Sequence, residues 1–237
     1  MSAEVAARLA RLASRYGLPA GAGERLAALL DRVAVEPAAI TAVRDPAQGV
    51  DVHVADSLVA LDLPAVRDAG QIADLGSGGG FPGLALAIAL PDARVALVES
   101  VRRKCTFLAA AAAALELANV EVVNARAEAW EAGVGAHDLV AARALAPLPV
   151  IVEYAAPLLA LGGVLVAWKG RLEPREEADG RAAAAALGMG APEIVPVEPF
   201  PGASGRYLYV SSKVSPTPPR FPRRPGIARK RPLRASG

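Results

Sequence analysis

The sequence is poor in the residue types on which several kinds of site depend. Cys105 is the only cysteine in 237 residues, which excludes an intrachain disulfide and a zinc site built from cysteines. No apolar run reaches the roughly 18 residues needed to cross a bilayer. The first five residues lack the basic start and apolar stretch of a signal peptide. These absences predict a cytoplasmic protein with no metal and no membrane partner.

Basic residues are concentrated at the end of the chain. Residues 214–237 carry seven basic side chains and no acidic one, which leaves 19 basic against 24 acidic side chains in the rest. This segment is also rich in proline, so we predict an extended, flexible tail. Because basic tails commonly bind polyanions, the predicted RNA-binding residues of the tail are Arg220, Arg223, Arg224 and Lys230.

The periodicity of the apolar residues divides the chain into three parts. Residues 1–65 are predicted to form a helical extension, with one helix capped by Ser2 and stopped at Gly17, a second from about Gly23 to Val35, a loop over 41–49 and a third helix over 51–63. Residues 66–213 form the core, and 214–237 the basic tail.

Short apolar runs alternate with helical segments in the core. Such alternation predicts a mostly parallel sheet covered by helices on both faces. The predicted strands are residues 71–75, 94–99, 120–124, 137–143 and 163–169, with a closing antiparallel pair at 193–197 and 206–211. The predicted helices between them are residues 82–90, 101–117 and 148–161, with a charged helix after Pro174.

Unusual residues follow the ends of the first three strands, where open α/β sheets bind ligands. Asp74 is followed by glycines at 76 and 78–80, which allow positive φ angles and close approach of the backbone to a ligand. Glu99 ends the second strand, where an acid typically accepts hydrogen bonds from ribose. After the third strand, residues 126–128 can line an adenine ring. Asp74, Gly76, Gly78, Glu99, Ala127 and Glu128 are therefore predicted cofactor residues.

Two nucleoside cofactors fit a glycine loop of this kind in different ways. A nicotinamide dinucleotide site shows G-x-G-x-x-G, whereas this loop is D-x-G-x-G-x-G, beginning at Asp74. The spacing suits S-adenosylmethionine, a sulfonium nucleoside without phosphate. A tight turn surrounded by solvated acids is the remaining alternative.

Several segments together resemble the ribosomal RNA small subunit methyltransferase G family, also called glucose-inhibited division protein B. The most specific are Asp74-Leu-Gly-Ser-Gly-Gly-Gly-Phe-Pro-Gly83 and His53-Val-Ala-Asp56-Ser57. The other matching segments are Thr41–Pro46, Leu97–Ser100, Lys104–Leu108, Arg126–Glu128, Arg143-Ala144, Lys169-Gly170, Arg220–Gly226 and Lys230–Leu233. Two positions depart from the family pattern, Ala39 in place of asparagine and Val52 in place of a basic residue.

This resemblance implies a class I, Rossmann-like methyltransferase with a seven-stranded sheet. The family methylates guanine N7 of 16S ribosomal RNA near the decoding site, so the expected partner is that RNA or the small ribosomal subunit. Nothing in the sequence indicates an obligate dimer, so the expected state is a monomer. The resemblance places Gly76, Phe81, Ala127, Glu128 and Arg143 on the cofactor. His53 and Lys104 are predicted to contact RNA, with a buried structural histidine and a solvated lysine as the alternatives.

Guanine N7 has an in-plane lone pair, so its methylation requires no general base. Positioning and the placement of charge then supply most of the acceleration. We predict Arg143 and Lys169 as the catalytic residues, with one of them contacting O6 or a phosphate and leaving N7 free. Two other functions stay open, a methyltransferase for a protein or small molecule, and a non-catalytic RNA-binding assembly factor with a vestigial fold.

Overall fold

The computed structural model describes residues 2–37, 40–171 and 173–235. Its strands are β1 (Gln71–Leu75), β2 (Arg94–Val98), β3 (Val120–Val123), β4 (His137–Arg143), β5 (Leu159–Lys169), β6 (Glu193–Val197) and β7 (Arg206–Ser212). Its α-helices are α1 (Ala3–Tyr16), α2 (Ala22–Val35), α3 (Pro46–Gly49), α4 (Asp56–Leu58), α5 (Pro64–Arg67), α6 (Gly83–Ala89), α7 (Arg102–Ala114), α8 (Leu148–Ala155), α9 (Pro174–Ala186) and α10 (Ile227–Lys230).

The seven strands form one sheet in the order β3-β2-β1-β4-β5-β7-β6. The first five strands run parallel, and β7 pairs antiparallel with both β5 and β6. The order reverses between β1 and β4, so the crevice where α/β folds bind ligands lies at the carboxyl ends of these two strands. The predicted Rossmann-like sheet with its closing antiparallel pair is confirmed.

Local signals account for the ends of the first helix. The Ser2 side chain accepts a hydrogen bond from the backbone N–H of Val5 at 3.3 Å, and Gly17 closes the helix in the left-handed conformation. The buried positions Val5, Leu9 and Tyr16 face α2 and join the apolar cluster that covers one face of the sheet. A second cluster, built around α8 and α9, covers the other face.

Two predicted helices differ from the structure. The segment predicted as one helix over 51–63 is a π-helical turn (Val50–Ala55), then α4, then a 3-10 turn (Val59–Asp62), and the preceding loop contains α3. The helix predicted over 148–161 ends at Ala155, because Pro157 has no N–H to continue it and β5 begins at Leu159. The departure noted at Ala39 lies outside the described residues.

The prediction of an extended, flexible tail is wrong for its described part, residues 214–235, named here the C-terminal strap. Phe221 and Ala228 are buried in the second apolar cluster. Arg223 forms an ion pair with Glu153 of α8, and the backbone N–H of Ala235 donates to Asp179 of α9. Proline-rich composition gave the expectation of flexibility, whereas these contacts with α8 and α9 fix the strap to the core.

Candidate active site

The glycine loop after β1 lies at the switch point of the sheet. The N–H groups of Gly76 and Ser77 donate to the carbonyl of Val98 at 2.8 and 3.4 Å, so the loop turns across the end of β2. Gly76 has φ +69, and a Cβ there would lie 2.6 Å from Cδ1 of Leu145. Glycine at 76 therefore provides both the backbone conformation and the space that the loop requires.

Asp74 is buried beneath this loop. Its Oδ2 accepts a hydrogen bond from the N–H of Gly83, the first residue of α6, at 3.0 Å. A Cβ at position 83 would approach that carboxylate oxygen to 2.6 Å. Oδ1 has no partner among the described residues, and burial raises the pKa of Asp74 to about 6. Asp74 therefore holds the loop against α6.

A cavity of about 520 Å³ opens at the ends of β1, β2 and β3. This β2–β3 cavity is lined by four of the predicted cofactor residues, Gly76, Glu99, Ala127 and Glu128. Glu99 accepts hydrogen bonds from the N–H of Gly78 at 3.2 Å and from Val101 at 2.8 Å. Glu99 and Glu128, which the sequence predicts to bind ribose and adenine, thus line one wall of the cavity. Their carboxylates can accept hydrogen bonds from the hydroxyl and amino groups of an adenosine. The other predicted cofactor residues, Asp74, Gly78, Phe81 and Arg143, are not in its lining.

Lys104 also lines the β2–β3 cavity, where its Nζ lies 3.9 Å from the Glu99 carboxylate. The sequence predicted this lysine on the RNA side. It lies beside Glu99 because α7 begins soon after β2 and carries its first turn over the cavity, and its contact with RNA stays a prediction.

Phe81 lies between two side chains that the sequence assigned to different roles. The His53 ring stacks on Phe81 with centroids 4.7 Å apart, and the Arg143 guanidinium lies 5.7 Å from the centroid of the same ring. His53 is buried and its Nε2 donates to the carbonyl of Val43 at 2.9 Å. Burial lowers the pKa of His53. His53 also lines the cavity at the ends of β4 and β5, so its contact with RNA and its structural alternative both stay predictions, and Phe81 links the loop to the helical extension.

A second cavity, of about 390 Å³, lies at the ends of β4 and β5. In this β4–β5 cavity, Nη1 of Arg143 donates to the carbonyl of Val52 and to Oδ2 of Asp56, both at 2.9 Å. The indole N–H of Trp168 donates to the Asp56 carbonyl at 2.6 Å. Arg143, at the end of β4, therefore fixes the helical extension to the sheet and contributes its charge to the cavity wall.

Two residues of β7 complete this cavity, Arg206 and Tyr207. Nη1 of Arg206 lies 3.9 Å from Oδ1 of Asp56. The sequence analysis missed both residues. Their signal was a cation and an aromatic ring at the start of a strand predicted to close the sheet, but only the antiparallel pairing of β7 with β5 brings them beside the end of β5.

Lys169 ends β5 and lines the β4–β5 cavity, yet its amine is engaged. Its Nζ lies 2.6 Å from Oε1 of Glu176, which also accepts a hydrogen bond from the N–H of Leu148 at 2.8 Å. The ion pair joins β5 to the first turns of α8 and α9. A catalytic role for Lys169 stays a prediction.

The two cavities are neighbours, and Ala144 lines both. Ala144 directly follows β4 and has φ +53, a strained conformation for a residue with a Cβ. A larger cavity of about 970 Å³ lies at the opposite edge of the sheet, beside the starts of β1, β2 and β4. Ligands of open α/β sheets bind at the carboxyl ends, so the two neighbouring cavities are the candidate site.

The predicted RNA-binding residues of the strap fall into two groups. Arg223 donates through Nε to Oε1 of Glu153 at 2.7 Å, with a second contact from Nη2, and Glu153 is buried. Glu153 therefore neutralises the charge of Arg223, whose side chain stays 23% exposed, and its contact with RNA stays a prediction. Arg220, Arg224 and Lys230 are exposed.

In the described residues, no helix has the length and apolar character to cross a membrane, and no group of three or more His, Cys, Asp or Glu side chains has the spacing of a metal site.

The sheet order and the acid-lined cavity at its switch point define a class I S-adenosylmethionine-dependent methyltransferase. Solved structures share this fold. A methyltransferase of the same cofactor dependence from Aquifex aeolicus superposes with a TM-score of 0.57 at 15% identity, covering 76% of this chain and 99% of the other. A 16S rRNA N2 methyltransferase from T. thermophilus, solved with S-adenosylmethionine and guanosine, superposes with a TM-score of 0.51 at 24% identity, covering 74% and 41%.

The sequence comparisons identify the family within this class of methyltransferases. The model of the rRNA small subunit methyltransferase G family matches residues 24–197. The protein of that name from Rubrobacter xylanophilus is 43% identical over 205 residues, covering 84% of this chain and 78% of the relative. The one from Desulfitobacterium hafniense is 34% identical over 235 residues, covering 97% of both. The chain belongs to the rRNA small subunit methyltransferase G family.

Proposed function

We propose that this protein transfers a methyl group from S-adenosylmethionine to N7 of a guanine in 16S ribosomal RNA, acting as a monomer in the cytoplasm. The single observation that carries the proposal is that the two cavities are neighbours at the carboxyl ends of the strands, with Ala144 in the lining of both. One cavity offers Glu99 and Glu128 to an adenosine, and the other offers cations to an RNA base. The family's name and its relatives support the RNA substrate.

Methylation of guanine N7 requires no general base from the protein. When bound, S-adenosylmethionine supplies a methyl group on a positively charged sulfur. Transfer forms the bond from the methyl carbon to N7 and breaks the bond from that carbon to sulfur, and the positive charge passes to the base. Because N7 uses a lone pair that is not protonated, no residue has to remove a proton.

The β4–β5 cavity holds the acceptor in this proposal. Its lining carries Arg143, Lys169 and Arg206 against one carboxylate, Asp56. The net positive charge suits guanine O6 or an RNA phosphate. Both hydrogen bonds of Arg143 come from Nη1, so Nη2 and Nε have no partner in the described part of the chain. We propose that Arg143 directs one of these groups to O6 or phosphate and leaves N7 free, since a donor on N7 would occupy the reacting lone pair.

Methyl transfer from labelled S-adenosylmethionine tests the function directly. The protein is incubated with small ribosomal subunits, naked 16S RNA, or a protein extract, and the labelled position is mapped. We expect label on N7 of one guanine of 16S RNA. Label on protein alone would show a different acceptor. Tight cofactor binding with no transfer to any of the three would instead indicate a non-catalytic assembly factor.

A further inference from the structure

The C-terminal strap reaches the β2–β3 cavity after it crosses α8. Phe221 and Ala228 are buried, and the guanidinium of Arg223 forms an ion pair with the buried Glu153. These anchors lie on both sides of residues 224–227, so the position of α10 relative to the sheet is fixed by apolar burial and by an ion pair.

Two contacts join the strap to the cavity wall. The backbone N–H of Gly226 donates to Oε1 of Glu128 at 2.9 Å. On α10, Nη2 of Arg229 donates to the carbonyl of Leu145 at 3.0 Å, and the Arg229 side chain lines the cavity together with Tyr154. The strap therefore orients one predicted cofactor residue and contributes a cation of its own to the cavity.

The sheet order indicates which end of the cofactor Arg229 faces. The strands run β3-β2-β1, so the cavity extends from the glycine loop after β1, past Glu99 after β2, to Glu128 after β3. A ribose held at Glu99 places the amino acid toward the glycine loop and the adenine toward Glu128. Arg229 lies between these ends, because it donates to Leu145, which packs against Gly76 of the glycine loop. Gly226 and Tyr154 link it to the Glu128 side; the pKa of Tyr154 is raised chiefly by burial and next by Glu128, with Arg229 opposing the rise.

We propose that the C-terminal strap is part of the cofactor site, with Gly226 as a positioning residue for Glu128 and Arg229 as a binding residue on the adenosine side of S-adenosylmethionine. A guanidinium can stack on an adenine face or donate to its ring nitrogens. The tail that the sequence assigns to RNA alone thus also has a role in cofactor binding. This inference rests on the cofactor site and is independent of the RNA acceptor.

Binding measurements on the full-length protein without RNA test the proposal. Arg229→Met is compared with Lys230→Met, the neighbouring exposed cation on the same helix. Calorimetry with S-adenosylhomocysteine and with 5′-methylthioadenosine, which lacks the amino acid, gives the affinities. We expect Arg229→Met to weaken both ligands by about 5- to 20-fold, the effect of one charge-assisted contact. Lys230→Met is expected to bind both like the wild type.

Two results would overturn the proposal. Wild-type affinity of Arg229→Met for both ligands would exclude a binding role, and a loss confined to S-adenosylhomocysteine would place Arg229 on the amino acid instead. Amide hydrogen exchange of residues 224–231 gives an independent readout. S-adenosylhomocysteine should slow exchange there in the wild type, and unchanged exchange at saturating ligand would contradict a cofactor site that includes the strap.

Discussion

Burial disfavours the charged form of Asp74, and hydrogen bonds from the surrounding loop partly offset this effect. Burial raises its pKa to about 6, and the hydrogen bond from Gly83 opposes this rise. Between about pH 4 and pH 6 the folded state keeps the proton that the unfolded chain releases. This group's contribution to stability therefore falls as the pH increases through that window and is constant above it.

Asp74→Asn should remove this pH dependence. The amide keeps an oxygen for the N–H of Gly83 and carries no charge. We expect the variant to exceed the wild type in free energy of unfolding by up to roughly 3 kcal/mol at pH 8 and to match it near pH 4. Urea unfolding at both pH values measures the difference, and Asp92→Asn, an exposed position, is the control. A difference that does not change with pH would contradict the prediction.

Arg143 separates two expectations about the active site. The resemblance assigns it to the cofactor, whereas the structure places it in the β4–β5 cavity with Asp56. We expect Arg143→Met to lower kcat for RNA methylation by on the order of 100-fold or more, as loss of a positioned charge does. Affinity for S-adenosylhomocysteine should change by less than about twofold. A loss of cofactor affinity above tenfold would show that Arg143 contacts the cofactor.

At the scale of elements, local patterns were sufficient where the signal is local. Ser2 and Gly17 mark the ends of α1, and the predicted range of β1 agrees with the structure. The π-helical and 3-10 turns of Val50–Asp62 were not predictable, because their apolar spacing also fits a regular helix. Nor was the strap, whose order comes from Glu153, 70 residues before its partner Arg223.

The pair of Arg223 and Glu153 anchors the strap to α8. Glu153 is 1% exposed, so Arg223→Met leaves a buried carboxylate without its cation. We expect a loss of about 3–5 kcal/mol in the free energy of unfolding, and recovery of most of it when Glu153→Gln is added. Urea unfolding measures both effects. Arg224→Met, an exposed neighbour, should cost less than about 0.5 kcal/mol, and an equal cost there would contradict the specific role of the pair.

At the scale of the whole molecule, the strand ends predicted from the sequence were sufficient to group the cofactor residues in one site. The partners of their side chains could be identified only from the structure. Parallel strands necessarily meet at one edge, which is why Glu99 and Glu128 were predictable members of one site. Asp56 and Arg143 are 87 residues apart and on different elements, so their pairing depends on how the helical extension packs on the sheet. The same packing decides which cations of the strap remain exposed for RNA.

Exposed cations of the strap should contribute to RNA affinity without affecting cofactor affinity. The variant replaces Arg220, Arg224 and Lys230 by glutamine, all exposed and outside the lining of the β2–β3 cavity. Each phosphate contact adds about 0.7–0.9 to the slope of log affinity against log salt. We expect weaker binding of 16S RNA at low salt and a slope reduced by about 2, with unchanged affinity for S-adenosylhomocysteine. Filter binding over a salt series measures the slope.

A second triple variant with the same change in net charge provides the control. It replaces three exposed arginines outside the strap, Arg11, Arg15 and Arg94, by glutamine. This variant leaves the phosphate contacts of the strap in place, so the slope of its log affinity against log salt should stay near that of the wild type. Equal losses in both variants would mean that overall charge, rather than the strap, attracts RNA. A wild-type slope in the strap variant would restrict RNA binding to the β4–β5 cavity and its rim, where Arg143 and Arg206 supply the charge.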